Sequence, residues 1–146
     1  MYQTVKNLHS YWAYLVLLML ILATFNALFK HFNKKEFNAP DFRISLFTLI
    51  VSHIQFLIAL VLYFSADYFS LIGDMGMGEV MKNATLRNNI VEHPLMMILA
   101  IAFITIGYSK HKKKLTSKGK FKTLSIFYTI ALILVLVKIP WNVWFQ

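Results

Sequence analysis

Four apolar segments, each closed by a charged or polar stretch, constrain this chain more than any other feature. They run from Asn7 to Phe29, Ile44 to Ala66, His93 to Ser109 and Thr123 to about Phe145. The first three hold no Asp, Glu, Lys or Arg. A helix needs roughly 20 apolar residues to cross ~30 Å of hydrocarbon. The first two segments meet that length outright. The third meets it by starting a few residues before His93, and the fourth by letting Lys138 snorkel toward a headgroup. The expected fold is an all-α membrane protein, an antiparallel up-down four-transmembrane-helix bundle with helices at about 8–30, 43–66, 89–109 and 123–145. It forms one domain over residues 1–146, too small for a separate soluble catalytic unit.

Charge sets the expected orientation. The formal net charge is +9, and it is unevenly placed. The 30–43 connection carries Lys30, Lys34, Lys35 and Arg43 against Glu36 and Asp41, and the 110–122 connection carries seven lysines and no acid. Both lie on one side of a four-span chain. The other side holds Asp67, Asp74, Glu79 and Glu92 against Lys6, Lys82 and Arg87. This asymmetry predicts basic loops in the cytoplasm and both termini extracytoplasmic. The lysines then meet anionic headgroups. The lysine-rich 110–122 connection interleaves only Phe121 for base stacking, so nucleic acid is not an expected partner. The first segment reads as a retained helix, because its apolar run exceeds a signal peptide's and no small-x-small site closes it.

Chain landmarks place the ends of each span. Tyr11, Trp12 and Tyr14 fall at the outer end of the first helix, and Pro140, Trp141 and Trp144 at the outer end of the fourth, as an aromatic belt requires. Asp41 after Pro40 reads as the N-cap of the second helix. Pro94 reads as a first-turn proline that costs no intrahelical bond. Residues 79–88 suit a short surface helix. Ala23, Ala27, Ser52, Ala59, Ala100, Ala102 and Ala131 suit close helix contacts.

Without cysteine the chain offers no disulfide, thiolate zinc site, iron–sulfur cluster or covalently attached haem. Gly-rich phosphate loops and nucleophile elbows are also missing. Ionisable groups at membrane depth therefore carry the functional argument. His31 and His111 lie among lysines and read as solvated. His53 lies mid-span beside Ser52 and Gln55, where helix glue, proton handling and cofactor ligation compete. His9, Glu92, His93 and Lys138 converge near the outer surface. A purely structural reading pairs Glu92 with Lys138. A sharper one uses histidines on different helices as axial ligands of a haem. Counted as untilted helices, His9 and His93 differ in depth by ~6 Å, and His53 and His93 by ~10 Å. Met75, Met77, Met81, Met96 and Met97 also raise copper binding, although methionine more often fills apolar gaps.

Certain stretches resemble small four-span bacterial membrane proteins of the cytochrome b-like kind. They are His9-Ser10, Ser52-His53-Ile54-Gln55 through Leu60, Glu92-His93-Pro94 through Ala100, Ile106 through Lys110, and Ile139-Pro140-Trp141. The layout is also similar to one half of a haem A synthase, without the second half that enzyme's oxidation chemistry needs. The resemblance implies haem b held by His93 with His9 or His53, Glu92 orienting an imidazole, and Lys138 balancing propionate charge. It implies a multi-pass protein of a bacterial inner membrane, in electron transfer or as a subunit of a respiratory complex. The competing expectation is a non-enzymatic accessory or assembly subunit among other membrane-protein subunits, with copper handling as a third.

Overall fold

A computed structural model of the chain describes residues 2–138, and every regular element among them is helical. The expected belt residues Pro140, Trp141 and Trp144 lie outside the described residues, as does the last part of the fourth span. The elements are α1 (Tyr2–Phe32), α2 (Ala39–Ser65), α3 (Tyr68–Met75), α4 (Met77–Lys82), α5 (Ala84–Arg87), a π-helical turn (Asn88–Glu92), α6 (His93–Lys112) and α7 (Ser117–Lys138). Four helical stretches are long and apolar enough to cross a membrane: Tyr2–Phe32, Ala39–Ser65, Ala84–Lys112 and Ser117–Lys138.

Local chemistry explains the boundaries. α1 begins about one and a half turns earlier than the apolar segment, since Tyr2 to Asn7 has no helix breaker. It ends in a Schellman motif, with Lys34 in the left-handed region (φ 53°). Lys34 N donates to His31 O and Lys35 N to Lys30 O, which satisfies two terminal carbonyls. α2 is capped by Asn38 rather than Asp41. Pro40 fits the first turn, where its missing N–H costs nothing. That moves Asp41 to the third helical position, where Oδ2 accepts from Asn38 N at 2.9 Å. The 67–92 connection is largely helical and includes α4 and α5 across the expected 79–88 segment.

The α6 entry differs most from expectation. Ala84–Lys112 is one continuous helical stretch, so Pro94 is not at its start. Pro94 has no N–H to donate to Ile90 O. The π-turn absorbs the proline just upstream, and Tyr63 Oη donates to the Ile90 carbonyl at 2.9 Å.

α1 packs on α2 and α7, and α6 packs on α2 and α7, a ring that sets α1 opposite α6. The buried cluster is drawn from α1 (Leu20, Ala23, Ala27), α6 (Ala100, Ile104) and α7 (Phe121, Leu124, Tyr128, Ala131, Leu132). Small residues permit the close approach. A Cβ on Gly107 would sit 2.4 Å from Phe127 Cβ. α2 contributes differently. Its buried residues are Asp41, Ser45, Thr48 and Ser52, whose 4-3-4 spacing puts them on one helix face. Thr48 donates to Met19 O at 3.1 Å, Trp12 Nε1 to Val51 O at 2.8 Å, and Tyr128 Oη to Ser45 O at 3.0 Å. In hydrocarbon such bonds substitute for the missing hydrophobic drive between helices.

Candidate functional site

Two histidines meet across the α1–α6 diagonal. The rings of His9 and His93 lie 6.3 Å apart between centroids, inclined at 80°. α1 carries His9 one turn before Trp12, and Trp12 is tied to α2. Gln55 Nε2 adds a second tie by donating to His9 O at 2.9 Å. The π-turn delivers His93 as the first residue of α6. His93 Nδ1 lies 3.1 Å from Lys138 O, at the described end of α7. That contact makes Nδ1 the protonated nitrogen, since a carbonyl only accepts, and turns Nε2 into a free lone pair. His9 Nδ1 is buried without a partner. Both imidazoles are largely withdrawn from water, and neither competes for the other's hydrogen bonds.

A charged network flanks the pair. Glu92 Oε1 accepts from Arg87 Nε at 2.8 Å, and Oε2 from Lys138 Nζ at 3.0 Å. Arg87 also donates through a terminal nitrogen to Met81 O at 2.9 Å. The expected Glu92–Lys138 pair is thus present. Glu92 bonds the two cations instead of an imidazole. The group orienting His93 is the Lys138 carbonyl.

His53 takes a different place. Its Nε2 lies 2.9 Å from Thr105 Oγ1, on an exposed part of α2. Thr105 is twelve residues beyond His93, ~18 Å along the helix. The structure therefore brings His9 to His93 and leaves His53 at another level. Ser52, singled out as a polar neighbour of His53, is buried, about 100° round α2 from it. Met75, Met77 and Met81 are all exposed on α3 and α4, and Met96 and Met97 are half-buried in α6.

The inner-boundary histidines depart from expectation. His111 is fully buried, not solvated. Phe37, Phe42 and Tyr108 surround it at ring separations of 5.6, 6.1 and 5.0 Å, and its Nδ1 bonds Tyr108 O. The lysines cap this aromatic cage: Lys112 lies over Tyr108, and Lys120 lies over Phe37 and donates to His111 O at 3.2 Å. His31 is half-buried, and its Nδ1 lacks a partner.

The second ion-pair centre escaped sequence reasoning. Asp41, 2 % exposed, accepts from Lys30 Nζ at 2.6 Å and Asn26 Nδ2 at 2.9 Å. Asn26 and Lys30 are four residues apart on α1, so one helix face reaches one carboxylate. That spacing was the available signal.

Among the described residues no group of three or more His, Asp or Glu side chains is placed to hold a metal ion. The chain matches no family model, and no similar curated protein or solved structure was found.

Proposed function

We propose that this chain is a four-span protein of a bacterial inner membrane that holds a b-type haem between His9 and His93 and exchanges single electrons there. The observation carrying the reading is the 6.3 Å separation of the two rings across the helix ring. Two imidazoles on one metal, each bonded at the ~2.0–2.1 Å usual for a metal–imidazole nitrogen, stand about 6 Å apart between centroids. The donor chemistry fits as well. The Lys138 carbonyl anchors His93 through Nδ1, the outer-shell contact that fixes a ligating imidazole. His9 has a buried nitrogen without a partner. His9 and His93, the two side chains that converge, would hold the haem iron. When bound, it supplies reversible one-electron chemistry. The protein's own part is to hold both rings, withdraw them from water and set the local charge through Glu92, Arg87 and Lys138. Both cations are paired with Glu92 and would be shared between it and the propionates.

The order of side-chain ties supports an antiparallel reading of α1 and α2. Trp12, Met19 and Asn26 ascend α1 while their partners Val51, Thr48 and Asp41 descend α2. With the lysine-rich connections cytoplasmic, the His9–His93 pair lies toward the extracytoplasmic side.

A second reading has one observation in its favour. Glu92, Arg87, Lys138 and His93 Nδ1 all have partners within the chain, as they would in an accessory or assembly subunit whose polar groups only join helices. A dithionite-reduced minus air-oxidised spectrum separates the two. Protein expressed with haem supply and purified in mild detergent is expected to show a low-spin α-band that His93→Ala removes. A folded protein that stays colourless after haem addition overturns the haem reading.

A further inference from the structure

At the lysine-rich end of the bundle, two adjoining cavities run between α1 and α7. The first, about 510 Å³, is lined by Lys30, Lys34, Lys35 and Lys118, with His31 and Ser117 beside them and Glu36 as its one carboxylate. Lys30 is committed to Asp41. Lys34, Lys35 and Lys118 make no ion pair among the described residues. The N-terminus of α7, a 22-residue helix, opens into the same space and adds its positive end. The second cavity, about 430 Å³, shares His31 and Phe32 with the first and continues along the helices past Leu28, Ile126 and Ile130. Its wall is apolar except for the exposed Lys122 and three buried atoms. His31 Nδ1, Ser125 Oγ and Thr129 Oγ1 are buried there and have no hydrogen-bond partner. Ser125 is 5 % exposed.

Unpaired buried hydroxyls are costly and need an explanation. Serine and threonine in an apolar helix can bond the carbonyl four residues back, as Thr123 does to Gly119 O. Ser125 and Thr129 do not. They lie one turn apart on the groove wall, between the lysines and the aliphatic residues.

We propose that this cleft and groove form a specific site for one anionic phospholipid. Its phosphate lies among Lys34, Lys35 and Lys118, and its ester oxygens accept hydrogen bonds from Ser125, Thr129 and His31. An acyl chain follows the groove between Leu28 and Ile130. The order of the site, from cationic through hydrogen-bonding to aliphatic, matches the order of groups down a phospholipid. Charge complementarity selects an anionic headgroup, since the free lysines outnumber the lone Glu36. A free phosphate ion leaves the three buried polar groups unmet.

The test is the electron spin resonance of the full chain reconstituted with spin-labelled phosphatidylglycerol or phosphatidylcholine in phosphatidylcholine vesicles. A motionally restricted component several-fold larger for phosphatidylglycerol is expected. The variant Lys34→Gln/Lys35→Gln/Lys118→Gln brings the preference near unity. The variant Lys112→Gln/Lys113→Gln/Lys114→Gln removes as many charges from the same end but outside the cleft, and keeps the preference. Thr129→Leu fills the groove with little change to the helix and lowers the preference about as much as the cleft variant. Equal loss in both lysine variants would reduce the effect to bulk surface charge and overturn the site. Displacement of the labelled lipid by millimolar inorganic phosphate would also overturn it, since a phosphate alone would then suffice.

Discussion

Tyr63 Oη donates to the Ile90 carbonyl at 2.9 Å, four residues before Pro94 on the facing helix. The carbonyl that a proline orphans is the one four residues upstream, so α2 supplies the donor that α6 lacks. In a membrane no water substitutes for it. The Tyr63 side chain thereby ties the start of α6, and with it His93, to the end of α2.

Replacing Tyr63 by Phe leaves Ile90 O unpaired in a buried position. We expect a loss of about 1–2 kcal/mol, the usual cost of an unsatisfied buried acceptor. In a Pro94→Ala background the alanine N–H can take over, and the loss should shrink. A double-mutant cycle of denaturant unfolding in mixed micelles measures the difference. Equal losses in both backgrounds would show that the hydroxyl does not serve the proline's orphan.

Gly107 predicts its own substitution. An added Cβ would lie 2.4 Å from Phe127 Cβ, closer than two carbons tolerate, and a Cβ is not the far end of a flexible side chain. Gly107→Ala should therefore push α6 from α7 and cost about 1–3 kcal/mol, in the range of overpacked cores. Phe127→Leu should not relieve it, since leucine keeps the Cβ. Thermal unfolding of the single and double variants in detergent checks both statements.

The sequence carried the spans well because four long apolar runs, three of them without Asp, Glu, Lys or Arg, have no competing explanation. It carried the helix ends less well. Asn38 and Asp41 both suit an N-cap, and the choice turned on Pro40 lying one residue before Asp41. Pro94 looked like a helix start because the apolar run begins there, while the backbone reaches α5 through a π-turn that residue composition does not mark. His111 looked solvated among its lysines. It is buried because Phe37, Phe42 and Tyr108 come from three places in the chain. The α2 stripe was legible and unread: Asp41, Ser45, Thr48, Ser52 and Gln55 follow a 4-3-4-3 spacing, which defines one face. His53 interrupts that series in sequence but not in space. Depth counting favoured His9 with His93, and their meeting depended on α1 and α6 being diagonal, which no single helix reveals.

Asp41 and Lys30 form a nearly buried pair, with side-chain exposures of 1 % and 29 %. Asp41→Ala should cost about 2–3 kcal/mol, below the ~3–5 kcal/mol of a fully buried broken pair because the Lys30 ammonium can turn to water. Replacing both, as Lys30→Met/Asp41→Leu, removes the uncompensated charge and should recover most of the loss. Unfolding titrations of the four members of the cycle give the coupling. A strictly additive result would mean that Asn26 and the backbone of Asn38, not Lys30, hold the carboxylate.

The charges flanking His93 should tune a haem held there in opposite directions. Glu92 is one residue from His93 and carries the negative charge of the network. Negative charge favours the oxidised, more positive iron, so Glu92→Gln should raise the reduction potential. Lys138→Met removes a positive charge while leaving the backbone carbonyl that orients His93. It should lower the potential and keep the α-band in place. His53→Leu alters a group bonded to Thr105 at another depth and should change neither spectrum nor potential. Potentiometric titration with optical readout decides all three. If Glu92→Gln and Lys138→Met shift the potential the same way, the network acts through structure rather than charge. If His53→Leu abolishes the band while His9→Ala spares it, the axial pair is His53 and His93, and the diagonal contact is only packing.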